Sequence, residues 1–200
     1  TRLGASSKFK GKSPRGLYGD VIEEIDHSTG RILDALRELG LEKNTYVLFT
    51  SDNGPWLIKN KGKIDGALER DHGGSAGILR SGKVSTWEGG QRVPTVFWAP
   101  GRIPANTTCK TIASTLDIMP TFAALAGAKV PKDRDLDGED IGHLLAGRFE
   151  EARADKVYHY YLRTTLQAVR QGKWKLHLPR PAKRPWLVPF AQNKHIHPKD

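Results

Sequence analysis

Positions 45–54 read Thr-Tyr-Val-Leu-Phe-Thr-Ser-Asp-Asn-Gly, a short apolar run that ends in a carboxylate, an amide and a glycine. Oxygen donors of that kind suit a hard cation, and the carboxyl end of a strand is where open α/β sheets place their ligands. A second polar cluster, Ser81-Gly82-Lys83-Val84-Ser85-Thr86-Trp87-Glu88-Gly89-Gly90, sets a lysine among glycines. The lysine is a compact positive charge able to meet an anion. A cation site and an anion site in one domain point to chemistry on a charged ester. Asp52 and Asn53 are therefore candidate metal ligands and Lys83 the candidate anion contact. His72, in Asp71-His72-Gly73-Gly74-Ser75 between the clusters, is a candidate substrate contact and equally a solvated loop histidine. His27 and His159 read as structural or exposed, and Glu88 with Arg92 as an ion pair bracing the lysine turn. Taken alone, Asp-Asn-Gly after a strand is more often a plain turn, and Lys83 is one of 32 basic side chains.

The elements that must position these residues follow from periodicity. Val21, Ile22, Ile25, Ile32, Leu33, Leu36 and Leu39 recur at helical spacing, which predicts a helix over 17–39 with one buried stripe and a stop at Gly40. The run 46–50 reads as a strand buried on both faces, and 93–98 as a second short strand. Residues 56–82 lack periodicity and read as a long functional loop. A helix is expected over 114–126, with Leu116, Met119, Phe122 and Leu125 inward, Gly127 past its end and a break near Met119 caused by Pro120. From about Ala154 the character changes to three strands at 157–162, 166–170 and 173–178, the last two joined as a hairpin through Gln171-Gly172. Alternating strands and helices before, then consecutive strands, imply an α/β fold with a parallel sheet followed by an antiparallel piece.

Composition narrows the partners. The formal charge of +10 favours polyanions such as nucleic acid, sulfated sugars or acidic membranes. The basic residues are not interleaved with aromatics in an RNA-binding pattern and no zinc-finger or basic-zipper spacing occurs, which argues against nucleic acid. No apolar run is long enough to span a membrane, and the lone Cys109 excludes an internal disulfide. Asp133-Arg134-Asp135-Leu136-Asp137-Gly138 imitates the opening of a calcium-binding EF-hand loop, but Leu144 stands where the bidentate glutamate belongs and Ile141 at the ninth position. That reading is rejected.

The motifs, in order, resemble a known family. They are Arg15-Gly16-Leu17-Tyr18-Gly19-Asp20 with Glu24-Ile25-Asp26, then Thr50-Ser51-Asp52-Asn53-Gly54-Pro55, then Gly82-Lys83 with Thr86-Trp87-Glu88-Gly89-Gly90 and Arg92-Val93-Pro94. Leu116-Asp117-Ile118-Met119-Pro120-Thr121, Leu136-Asp137-Gly138, and Ala168-Val169-Arg170 with Gly172-Lys173-Trp174-Lys175-Leu176 complete the series. The chain resembles the carboxy-terminal half of a sulfatase of the arylsulfatase type, within the alkaline-phosphatase superfamily. The resemblance implies part of a mostly parallel sheet flanked by helices (1–150, the large catalytic domain) and then the start of a small antiparallel domain with a helix (151–200). It implies that Asp52 and Asn53 bind Ca2+ and that Lys83 contacts the sulfate ester. Sulfate-ester substrates, sulfated carbohydrate among them, and a periplasmic, secreted or lysosomal location are implied in the same way.

Departures matter as much. Sulfatases use a formylglycine made from Cys or Ser, followed two residues on by Pro or Ala and four on by Arg. Cys109 is followed by Lys110, Thr111, Ile112 and Ala113, and Ser13-Pro14-Arg15 is wrongly spaced. The nucleophile and the remaining metal ligands are expected upstream of Thr1, so the chain by itself is expected to be inactive and to lack part of its sheet. Two rival readings stand. One is a phosphomonoester or phosphodiester hydrolase of the same superfamily, whose usual histidine-rich two-zinc site is missing from the matched segments. The other is a noncatalytic basic module binding sulfated polysaccharide. Asn106-Thr107-Thr108 is a glycosylation sequon whose meaning depends on the source.

Overall fold

A computed structural model of the chain describes residues 3–57, 74–149, 153 and 155–179. Helix α1 spans Gly16–Glu38, where the apolar spacing predicts it, and Gly40 follows at φ 67°, a left-handed angle that glycine takes without a Cβ clash. The basic loop before α1 closes on a carboxylate. Backbone N–H groups of Gly11, Lys12 and Ser13 donate to Asp20 at 2.8, 3.0 and 2.8 Å, so Asp20 is buried without an unmet charge. The Ser13 and Gly11 bonds hold its pKa below the ordinary carboxylate value against the opposing effect of burial. The stripe expected to be buried is half open: Ile22, Ile25 and Ile32 are exposed. Among the described elements the main neighbour of α1 is the turn Glu42–Asn44, which leaves most of that stripe uncovered.

Strand β1 (Val47–Thr50) pairs antiparallel with β2 (Thr95–Trp98), Val47 facing Trp98 and Thr50 facing Thr95. Strands β3 (Val157–Leu162), β4 (Thr165–Gln171) and β5 (Trp174–His177) form a second antiparallel sheet in that order. The expected mostly parallel, alkaline-phosphatase-like sheet is thus corrected: both sheets are antiparallel. The physical reason lies in the connection. Parallel pairing needs a crossover of about a dozen residues or more, usually a helix. Between β1 and β2 the described residues contain only the four-residue helix α2, Glu88–Gln91. It feeds the chain into Thr95 beside Thr50, the end at which β1 stopped, and the Thr50 and Thr95 hydroxyls meet at 3.0 Å. Nor is β1 buried on both faces, since Phe49 and the Val96 opposite it are both exposed. The β4–β5 hairpin is present as expected, with Gly172 at φ 51° in its turn.

A short 3-10 turn, Thr115–Asp117, leads into α3 (Ile118–Leu125), and α4 spans Gly142–Leu145. Pro120 produces no kink within α3 because it sits in the first turn, where its missing N–H is not needed. Of the expected inward residues, Leu116, Met119 and Leu125 are exposed and Phe122 is half-buried, while the buried ones are Asp117, Pro120 and Thr121. The interior here is polar. Asp117 accepts from the N–H of Ser114 at 2.8 Å and of Glu139 at 2.9 Å, while Arg153 donates to both its oxygens at 2.7 and 2.9 Å. Arg153 and Lys156 also donate to Glu139, and the Tyr158 hydroxyl donates to the Ile112 carbonyl at 2.8 Å. This knot ties the 112–117 segment to the connection that precedes β3. The EF-hand mimic lies in the same tie: Lys156 donates to the Asp137 carbonyl, and a Cβ on Gly138 would fall 1.9 Å from the Leu116 oxygen. No described helix is long and apolar enough to cross a membrane.

Candidate functional site

The two polar clusters lie backbone against backbone. Beyond the end of β1 the Ser51 hydroxyl donates to the Asn53 carbonyl at 2.9 Å, closing the turn that carries Asp52. Gly54 N–H donates to the Gly90 carbonyl at 3.1 Å, and Lys83 N–H donates to the Pro55 carbonyl at 2.8 Å. Gly89 N–H donates to the Arg80 carbonyl at 2.8 Å, and the Ser85 hydroxyl donates to Gly82 at 2.8 Å. Glycine is required for this approach. A Cβ on Gly54 would stand 1.8 Å from the Gly89 oxygen, one on Gly89 2.0 Å from the Ser81 oxygen, and one on Gly82 2.5 Å from the Pro55 oxygen. Lys83 is therefore pinned by its own N–H to the residue that follows the Asp52-Asn53-Gly54 turn.

The lysine loop is held in an unusual backbone state. Ser81 and Val84 have φ of 66° and 73°, and a β-branched residue in that region is an outlier. Such positions cost about 1–3 kcal/mol each and persist where the surroundings over-determine them. Here the bonds from Lys83 to Pro55 and from Ser85 to Gly82 fix the loop on both sides of Lys83.

The turn after the lysine is gripped by the second sheet. Glu88 accepts from Arg170 with one oxygen and from Lys175 with the other, the latter at 2.7 Å. Lys175 also donates to the Thr86 carbonyl at 2.6 Å, and the buried Thr86 hydroxyl donates to Gln167 at 3.0 Å. Trp87 contacts Arg80, 3.7 Å over its ring, and His177, whose ring centroid is 3.8 Å away. The expected brace on the lysine turn is present, but its partners are Arg170 and Lys175 and not Arg92. Burial opposes ionisation of Glu88, yet Lys175 and Arg170 hold its pKa below the usual range. Sequence reasoning missed the roles of Arg170, Lys175 and Gln167. Their motifs were visible, but nothing in the spacing of Ala168-Val169-Arg170 or Lys173-Trp174-Lys175 names an acid so far away in the chain.

The side chains of the predicted site stand as follows. Asp52 is exposed, and Asn53 and Lys83 are half-buried. None of the three side chains takes a hydrogen bond or ion pair from another described residue. A carboxylate and an amide carbonyl left unspent suit calcium in kind, but supply only part of the six to eight oxygens it takes. Among the described residues no group of three or more His, Cys, Asp or Glu gathers as a metal cluster. His72 lies outside the described residues. His27 is exposed, 2.8 Å from the Lys8 ammonium, and His159 is exposed on β3.

A family model described as sulfatase matches residues 3–128, and one described as N-sulphoglucosamine sulphohydrolase, C-terminal, matches 82–177. The likeness to a carboxy-terminal half alone is thereby corrected, because the main family model starts at residue 3 and covers α1, β1, the lysine loop and β2. N-acetylgalactosamine-6-sulfatase of Mus musculus is 43% identical over 174 residues, 87% of this chain and 31% of its own length. Steryl-sulfatase of Homo sapiens is 43% identical over 162 residues, 80% of this chain and 27% of its own. The chain thus spans about a third of the curated relatives it matches. The crystal structure of PsFucS1 sulfatase from Pseudoalteromonas sp. superposes with a TM-score of 0.75 at 30% identity, over 86% of this chain and 32% of that one.

Proposed function

This chain belongs to the sulfatase family, and on that premise we propose that it supplies the calcium and sulfate contacts of a sulfuric ester hydrolase. The observation that carries the reading is the pair of backbone bonds, Gly54 to Gly90 and Lys83 to Pro55, that sets the Asp52-Asn53 turn against the lysine loop. Asp52 and Asn53 would hold the ion, which when bound polarises sulfate oxygens and stabilises an anionic nucleophile. Lys83 carries out the chain's own part of the chemistry. Its ammonium, on a loop that cannot relax, meets the ester oxygens as negative charge moves toward the leaving group. A charge fixed in advance costs no reorganisation at the moment of reaction.

The substrate is a sulfate monoester. The two relatives, an N-acetylgalactosamine-6-sulfatase and a steryl-sulfatase, agree on the sulfate and differ on the group that carries it. A sulfated carbohydrate is the reading that the net charge of +10 supports. The test is calcium titration of the full-length protein alongside hydrolysis of an aryl sulfate. Asp52→Ala is expected to weaken calcium binding at least about tenfold, the effect of losing a carboxylate from an oxygen shell, and to lose activity that added calcium partly restores. Wild-type calcium affinity in that variant removes Asp52 from the metal site. A salt-sensitive polysaccharide binder with no hydrolysis would instead favour the noncatalytic module.

A further inference from the structure

The second sheet does more than follow the first in sequence: it holds the turn that carries the lysine loop. We propose that Glu88, clamped by Arg170 and Lys175, is a positioning residue that sets the Lys83 ammonium for the sulfate, an inference that rests on the reading of Lys83 above. The path is continuous. Arg170 on β4 and Lys175 on β5 stand opposite each other in register and each takes one oxygen of Glu88. Lys175 takes the Thr86 carbonyl as well, and β4 takes the Thr86 hydroxyl through Gln167. The residues immediately after Glu88 are Gly89 and Gly90, whose backbones bond to Arg80 and Gly54. A Cβ on Gly90 would lie 2.4 Å from the Ser85 oxygen and 2.5 Å from the Gly82 oxygen, so no slack separates that turn from the residues flanking Lys83. Interiors this closely packed transmit a shift rather than absorb it.

Both basic groups of the clamp are engaged locally, Arg170 and Lys175 on the Glu88 carboxylate and Lys175 also 3.6 Å over the Tyr160 ring. Glu88 has a side-chain exposure of 23% against 18% for Arg170 and 11% for Lys175, so the three groups are partly shielded from solvent, where a charge pair weakens least with salt.

The experiment is a double-mutant cycle on the full-length protein, reading kcat/KM for an aryl sulfate and the thermal midpoint of each variant. Glu88→Gln keeps the shape, loses the charge and is expected to lower kcat/KM about tenfold, a coupling within the range of residues sharing one network. In a Lys83→Ala background the same change is expected to cost less than about twofold, because the group it positions is gone. Lys175→Met, which leaves Glu88 with Arg170, is expected to behave alike and serves if Glu88→Gln fails to fold. An equal loss in both backgrounds makes the clamp merely structural and overturns the proposal, as does unchanged kcat/KM in both clamp variants. If Lys83→Ala itself leaves activity intact, the sulfate contact fails first, and the two failures are told apart within one cycle.

Discussion

Replacing Lys83 with alanine in the full-length protein is expected to lower kcat/KM for an aryl sulfate about 10²- to 10³-fold, the scale set by removing one preorganised oxyanion contact. The thermal midpoint should move little, because the Lys83 side chain has no hydrogen bond to a described residue while its backbone N–H, which alanine keeps, donates to Pro55. Lys83→Arg should recover only part of the loss, since a planar fork does not replace a point charge on a loop that cannot shift. The kinetic signature also has a direction. A contact that strengthens in the transition state lowers kcat together with kcat/KM, whereas one that serves ground-state binding alone raises KM. Undiminished turnover in a folded Lys83→Ala variant removes the lysine from the site.

The second large effect concerns stability. Asp117→Asn is expected to cost the full-length protein about 3 kcal/mol in denaturant unfolding, the low end of the penalty for breaking a buried ion pair, because Arg153 keeps only its more exposed partner Glu139. Asp117 is 1% exposed and its partner Arg153 7%, so water cannot take the place of the lost carboxylate. The double change Asp117→Leu with Arg153→Met should recover only part of the loss, because it removes the stranded guanidinium but leaves the N–H groups of Ser114 and Glu139 without their acceptor. Burial alone would raise the Asp117 pKa, but Arg153 and the N–H groups of Glu139 and Ser114 lower it. A carboxylate depressed in the folded state contributes fully above its unfolded value of about 3.9, and the contribution fades as pH falls through the lower folded value. Glu88, Glu139 and Asp20 shift the same way, so the protein should lose stability in acid as these groups protonate. A loss below about 1 kcal/mol for Asp117→Asn, with the wild-type acid profile, would show that the pair is not the tie.

Much of this was legible from residue order, and the rest was hidden for physical reasons. Periodicity placed α1, both short strands and the β3–β5 run, because each pattern matches one backbone period. It did not give strand direction: an apolar run such as 46–50 fits parallel and antiparallel pairing alike, and the deciding fact is where the chain re-enters at Thr95. The inner face of α3 was misread because the buried side chains there, Asp117 and Thr121, are polar and carry no hydrophobic signal. At the site, Asp52, Asn53 and Lys83 were legible from residue type and position and from the family motifs, while the glycine packing that joins their loops is visible only as backbone contact. The clamp was missed because Arg170 and Lys175 are two basic residues among 32, and no pattern in the sequence says which of them will meet Glu88.

The claim beneath all of this is that the carboxylate, the amide and the lysine face a single pocket. A crystal structure of the full-length protein with calcium and a sulfate ester or its analogue tests it most directly. The expected result is calcium at about 2.3–2.6 Å from oxygens of Asp52 and Asn53, with the Lys83 Nζ within about 3 Å of an oxygen on the same anion. Calcium held elsewhere, or an Nζ turned away from the bound sulfate beyond hydrogen-bond reach, would contradict it.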